Sequence, residues 1–269
     1  MSVKFEELVT SLIQSAPSSE LPQVISSLKT ISGASKSTID DAISEYIKSQ
    51  PIVISDYIIS SLNKDLHSSK FIDHIKQEKF TFDISKQEII DVESYTPDVS
   101  VDSSLVDKLQ QYGEDNFQDY TFTIIPESEK VYTVVIIGEK LNQDNFYTGK
   151  WHSQYAVNNG QITGSINLDI HYFEDGNVRL KYNESGVSSS SVGDGGGEIS
   201  GSVSNASDVV NFINQADNAI ELKLINQFQH LNQQSFKNLR RLLPVTRSKI
   251  NWGSAIGNYR LGSDVVNKK

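Results

Sequence analysis

Apolar residues over the first sixty positions recur at intervals of three and four. Phe5, Leu8, Val9, Leu12 and Ile13 form one such stripe, which Pro17 ends. Leu21, Val24, Ile25 and Leu28 form a second, with Ser18-Ser19-Glu20 as its cap and Gly33 as its stop. Ile39, Ala42, Ile43, Tyr46 and Ile47 form a third. Ser37-Thr38-Ile39-Asp40 opens it as a capping box with Asp in place of Glu, and Pro51 closes it. Helices this short bury their stripes only against each other or against a partner. A small antiparallel helical unit is therefore expected over residues 1–62.

Residues 63–116 read as a mixed connecting region. Lys79 to Ile84 alternates and predicts a strand, whereas the acidic stretch from Glu88 to Asp115 reads as loop or short helix. Over residues 117–203 the period becomes two, which predicts an antiparallel sheet. Tyr120, Phe122 and Ile124 alternate. Val131 to Ile137 is β-branched and mostly apolar, the pattern of a strand buried on both faces. Ile166, Leu168, Ile170 and Tyr172 share one face. Val178, Leu180 and Tyr182 do so across Glu174-Asp175-Gly176-Asn177, where Asp-Gly suits a tight hairpin turn. Asn183 to Gly197 is rich in Ser and Gly and reads as a surface loop.

The helical period returns over residues 204–243. Val209, Ile213, Ala216, Ile220, Leu224, Phe228, Leu231, Leu239 and Leu242 fit one stripe, Ser235 interrupts it and Pro244 ends it. At 1.5 Å per residue such a helix runs ~55 Å, several times the average globular helix. That length implies a coiled coil or a second chain to lie on. Residues 244–269 hold Ile250, Trp252, Ala255, Ile256 and Tyr259 at amphipathic spacing, with Gly253, Gly257 and Gly262 among them. Each interior glycine costs ~1 kcal/mol of helix stability, so this reads as an arm that orders on a partner.

Charge sharpens the picture. The 269 residues carry a net charge of −10, but residues 237–269 hold eight bases and one acid. The body is strongly acidic and the end basic, which points to an acidic partner. Lys237, Arg240, Arg241, Arg247 and Lys249 cluster where the long helix ends. Cations there offset the helix dipole, which accounts for one or two of them; five with no acid between them point to binding. The same end would serve an anionic-lipid or nucleic-acid binding module. The acidic body disfavours nucleic acid.

Chemistry is sparse. Cysteine is absent, so no disulfide or thiolate site exists. His67, His74, His152, His171 and His230 show no metal-ligand spacing. Gly193-Asp194-Gly195-Gly196-Gly197 lacks the Gly-Lys-Ser/Thr of a phosphate loop, and no Gly-x-Ser-x-Gly elbow occurs. Only unplaced carboxylates speak for catalysis; no catalytic residue, metal or cofactor is expected. The longest apolar run, Val134 to Ile137, is far below the ~20 residues of a transmembrane helix. Acids at Glu6 and Glu7 do not suit a signal peptide, so a cytoplasmic location is expected.

Three segments carry a resemblance. Asn145-Phe146-Tyr147-Thr148-Gly149-Lys150-Trp151-His152-Ser153 resembles the F-actin-capping protein alpha subunit signature, in which Gly-Arg-Trp-Arg-Ser is typical. Ile170 to Val178 is similar to that family's His-Tyr-Tyr-Glu-Asp-Gly-Asn-Val stretch. Phe236 to Ile250 is similar to its segment ending in Leu-Pro-Val-Thr-Arg. Lys150 and His152 depart from the usual arginines and are expected to pack on the sheet surface.

The resemblance implies an α+β fold. An N-terminal helical stalk, an antiparallel β-sheet covered by one long helix and a C-terminal amphipathic arm would form half of a pseudo-twofold heterodimer with a beta subunit. The strands of the two chains would make one continuous antiparallel sheet. The pair would bind the barbed end of actin filaments in cortical actin structures and block subunit addition and loss. Lys237, Arg241 and Arg247 match residues implicated in actin contact; Arg240 and Lys249 flank them. Ile250, Trp252, Ile256 and Tyr259 would give the arm its apolar contacts. Phosphoinositides and capping-protein regulators are the further partners implied.

Overall fold

The computed structural model describes residues 5–16, 20–33, 35–83, 86, 88–142, 146–173, 178–185 and 200–230. The chain divides into two compact units, Met1–Ile220 and Glu221–Lys269. Of the second, only residues 221–230 are among those described, and they are helical.

The first unit begins with three helices, α1 (Phe5–Ser15), α2 (Leu21–Ser32) and α3 (Lys36–Ser49). Val9 and Ile13, Leu21 and Ile25, and Ile39, Ala42, Ile43, Tyr46 and Ile47 are buried together. The Tyr46 hydroxyl donates to the Ala16 carbonyl at 3.1 Å and ties α3 to the end of α1. Gly33 takes the left-handed conformation at the end of α2 (φ 61), where glycine carries no Cβ penalty. The capping box expected at Ser37 is not the cap of α3. Ser35 holds that place, its hydroxyl accepting from the Thr38 N–H at 3.2 Å, so the helix starts before Ser37. Glu20 occupies the N-cap position of α2 but makes no side-chain cap; Ser18 and Ser19 lie outside the described residues.

Short strands follow. β1 (Ile52–Ile54) and β2 (Tyr57–Ile59) form a hairpin whose turn residues Ser55 and Asp56 both have positive φ, the pattern of a tight two-residue turn. A 3-10 turn spans Ser61–Asn63. β3 (Phe71–Asp73), β4 (Glu78–Asp83) and β5 (Glu88–Ser94) form a three-stranded antiparallel sheet. Phe71, Phe80 and Phe82 extend the helical core into this sheet.

The acidic stretch after Glu88 is therefore not mostly loop. It holds β5 and a 14-residue helix, α4 (Ser103–Asn116), capped by Asp102, whose side chain accepts from the Ser104 N–H. Leu105, Leu109 and Tyr112 are its buried stripe.

The main sheet is antiparallel, in the order β10-β9-β8-β7-β6. Its strands are β6 (Tyr120–Ser128), β7 (Val131–Asn142), β8 (Tyr147–Asn158), β9 (Gln161–Tyr172) and β10 (Val178–Ser185). A short β11 (Ser200–Ser202) pairs with β9 beyond the end of β10. Leu180 pairs with Ile170 and Tyr182 with Leu168, so the two apolar faces form the expected hairpin; the turn 174–177 lies outside the described residues. Val134, Val135, Ile136 and Ile137 are all buried, because both faces of the sheet are covered. On one face Val135 and Ile137 pack with Ile58 of β2. The other carries Tyr155, over which Phe212 stands edge-on at 6.2 Å.

Phe212 belongs to α5 (Ala206–His230). Val209, Ile213, Ala216 and Ile220 are its buried positions. The expected continuation to residue 243 lies outside the described residues. One helix alone does not cover this face: α4 also contributes, through Tyr112 beside Asp217 of α5, as does Phe117, the residue just past α4, beside Gly138 of β7.

Candidate functional site

The residues expected to bind, Lys237, Arg240, Arg241, Arg247 and Lys249, with Ile250, Trp252, Ile256 and Tyr259 of the arm, all lie outside the described residues. The described residues show the scaffold that precedes them and two polar systems that hold it together.

The first anchors α5. Asp217 is buried and accepts the Tyr155 hydroxyl of β8 at 2.6 Å and the Tyr112 hydroxyl of α4. Burial first, and the Asp217 charge second, push the Tyr155 phenol well above its usual range. One carboxylate thus joins two helices to the sheet. A buried charge is tolerated only when hydrogen-bonded in this way.

The second system lies on the opposite face and docks the helical unit. The side chain of Lys150 is buried, its Nζ donating to the Pro51 carbonyl at 2.5 Å and standing 3.6 Å from Glu139. Burial lowers the Lys150 pKa, and the Glu139 charge opposes that effect. Glu20, at the start of α2, turns its carboxylate to the sheet, where it meets His171 Nδ1 at 2.7 Å and accepts from Thr148 at 3.1 Å. That contact replaces the cap Glu20 does not make. Arg179 of β10 forks onto Asp169 of β9 through Nε at 2.8 Å and through Nη2, which raises the Arg179 pKa. His152 sits in the row between Ile137 and Asn167. Burial, and then the Lys150 charge, lower its pKa to about 4. Lys150 and His152 thus lie on the sheet as expected, beneath the helical unit.

Two concavities complete the surface. A cavity of about 580 Å³ opens between the starts of α4 and α5, lined by Leu105, Ile124, Tyr132, Val157 and Val209 among others. Both helix ends there are already satisfied, by Asp102 and by Asn205, which accepts from the Asp208 N–H at 3.0 Å. A groove between α1, α2 and the β9–β10 end of the sheet has Leu12, Val24, Leu28 and Ile31 on its walls and His171 and Arg179 at its end. Among the described residues no group of three or more His, Asp or Glu could hold a metal ion. No helix among them is long and apolar enough to cross a membrane.

The sequence pattern marks Lys150 and His152 as sheet residues but gives no sign of the contacts of Glu20, Asp217 and Asp169. These acids carry no local motif, and their partners stand 62 to 151 residues away or across a strand pair.

This arrangement, an antiparallel sheet with helices on one face and a helical unit docked on the other, has a solved counterpart. A solved structure titled homodimeric actin capping protein alpha subunit, from Plasmodium berghei, matches with a TM-score of 0.65 over 90% of this chain and 98% of its own, at 21% identity. Sequence relations are closer. The family model described as F-actin capping protein alpha subunit matches residues 9–264. The Candida albicans protein named F-actin-capping protein subunit alpha is 54% identical, with both chains covered in full. The proteins of that name from Debaryomyces hansenii and Saccharomyces cerevisiae are 49% and 36% identical, each over 100% of this chain and 99% of the relative. This chain belongs to the F-actin capping protein alpha subunit family.

Proposed function

We propose that this chain is the alpha subunit of a heterodimeric capping protein that binds the barbed end of actin filaments and blocks subunit addition and loss. The observation that carries this is the end-to-end similarity to proteins named F-actin-capping protein subunit alpha, which includes the basic segment after residue 236. In this reading residues 1–62 form the stalk. Lys237, Arg241 and Arg247, with Arg240 and Lys249, meet acidic actin. Ile250, Trp252, Ile256 and Tyr259 of the arm add apolar contact. Clustered charge raises the association rate at low salt and then fixes orientation. Phosphoinositides and capping regulators would compete for or modulate this surface, in cytoplasmic cortical actin.

The described surface supports pairing with a beta subunit. Phe5, Leu8 and Leu12, spaced three and four apart on α1, are 49%, 50% and 43% exposed, the stripe of a helix waiting for another helix. Leu222 and Ile225 on α5 are more than half exposed. Apolar residues in such arrays mark a surface that a partner covers.

The test is seeded elongation of pyrene-labelled actin with this chain co-expressed with a beta subunit. Wild-type complex stops barbed-end growth. Changing Lys237, Arg241 and Arg247 together to Ala slows capping mainly through association rate while the complex stays intact. Unchanged capping by the triple variant refutes the assignment of these residues. A wild-type complex that fails to stop barbed-end growth yet binds phosphoinositide vesicles supports the lipid-binding alternative.

A further inference from the structure

Four strands carry one straight row of charges on the face turned to the helical unit. Glu139 of β7 stands opposite Lys150 of β8. Lys150 stands opposite Asp169 of β9, and Asp169 opposite Lys181 of β10. The signs alternate without a break. Residues directly opposite in antiparallel strands have Cβ atoms ~4.5–5.5 Å apart, so opposite charges there attract and like charges repel.

The row is incomplete at its end. Asp169 does not serve Lys181, because both of its carboxylate oxygens are taken by the Arg179 fork. Lys181 is exposed, and among the described residues it has no carboxylate partner. β10 is the last strand of the sheet on that side among the described strands.

We propose that the row continues across β10 into a strand of the partner subunit, where Lys181 meets an Asp or Glu, and that this contact sets the register between the two chains. The proposal rests on the heterodimer reading above. Main-chain hydrogen bonds alone specify register weakly, since a slip by two residues restores them all. Such a slip would place the carboxylate opposite Arg179, which Asp169 already neutralises, or opposite uncharged Asn183. Lys181 is the position on this face of β10 that rewards the correct register.

The experiment uses the complex of this chain with a co-expressed beta subunit. A water-soluble carbodiimide joins an ammonium to a carboxylate already in contact, without a spacer, and peptide mass spectrometry locates the link. The expected result is Lys181 joined to an Asp or Glu of the partner. Lys181→Ala then weakens the complex about 3-fold and Lys181→Glu about 10-fold. Reversing the linked carboxylate to Lys restores pairing with the Lys181→Glu chain. An intact complex in which Lys181 links only within its own chain, or not at all, overturns the proposal and leaves the heterodimer standing. Failure of the chains to co-purify overturns both.

Discussion

His152 gives the structure a defined acid sensitivity. Folding holds its imidazole neutral, with a pKa lowered from 6.5 to about 4, chiefly because the ring is buried and secondarily because Lys150 is near. Its Nε2 is buried and has no hydrogen-bond partner that would favour protonation. Between those two values the unfolded chain binds a proton that the folded chain refuses. Stability is therefore complete above the unfolded pKa and is lost as pH falls toward the folded one. At about pH 5.5 the linkage amounts to about 1.4 kcal/mol, and at about pH 7.5 to less than about 0.1 kcal/mol. His152→Gln removes this titration while keeping a neutral polar side chain of similar reach. Denaturant unfolding of the co-purified complex, wild type and variant, at both pH values isolates the effect, because other titrating groups cancel in the difference. Wild type should lose about 1.4 kcal/mol more than the variant on acidification. Equal losses in the two proteins would refute the reasoning.

Asp217→Ala should cost about 2–4 kcal/mol, since it leaves the buried hydroxyls of Tyr155 and Tyr112 without their shared acceptor. Thermal melting of the complex checks this, and a loss below about 1 kcal/mol would mean that water replaces the carboxylate. Gly113→Ala should destabilise despite the better helix former, because its Cβ would lie 2.0 Å from the Tyr120 ring. Overpacking of ~1–3 kcal/mol outweighs a propensity gain of ~1 kcal/mol. A raised melting temperature would show that Tyr120 swings aside freely.

Local pattern carried much of the fold into the sequence. The β9–β10 hairpin was legible because Ile166 to Tyr172 and Val178 to Tyr182 alternate without a break, and the pairing brings those two apolar faces together. β5 was not legible. Ile89 and Ile90 are adjacent, and Asp91 has positive φ where the pairing with β4 shifts, so no period of two survives. α4 falls where the acidic stretch left loop and short helix both open, although Leu105, Leu109 and Tyr112 show the three-and-four spacing of a helix face. The cap of α3 was placed two residues late because both Ser35 and Ser37 can accept from a following N–H, and the actual start of the helix chooses between them.

The sites divide in the same manner. The basic cluster near residue 240 is readable because its charges are contiguous in the chain. The row from Glu139 to Lys181 is invisible in one dimension, since its four members span 42 residues and meet only once three strand pairings are fixed. Asp217 likewise looks like one polar residue on an amphipathic helix until the tyrosines arriving from α4 and β8 are known.

The contacts that hold the helical unit to the sheet also fix an order of assembly. Tyr46 reaches Ala16 across 30 residues of chain, so the three helices can close on one another soon after synthesis. Lys150 reaches Pro51 across 99 residues, and His171 reaches Glu20 across 151. The cost of closing a loop rises only logarithmically with its length, so closing the longer of these loops in an open chain costs only about 0.4 kcal/mol more than closing the shorter. The helices thus remain a tethered module until β8 and β9 exist. They then dock as a unit, Pro51 just past the end of α3 receiving its lysine and Glu20 just before α2 receiving its histidine.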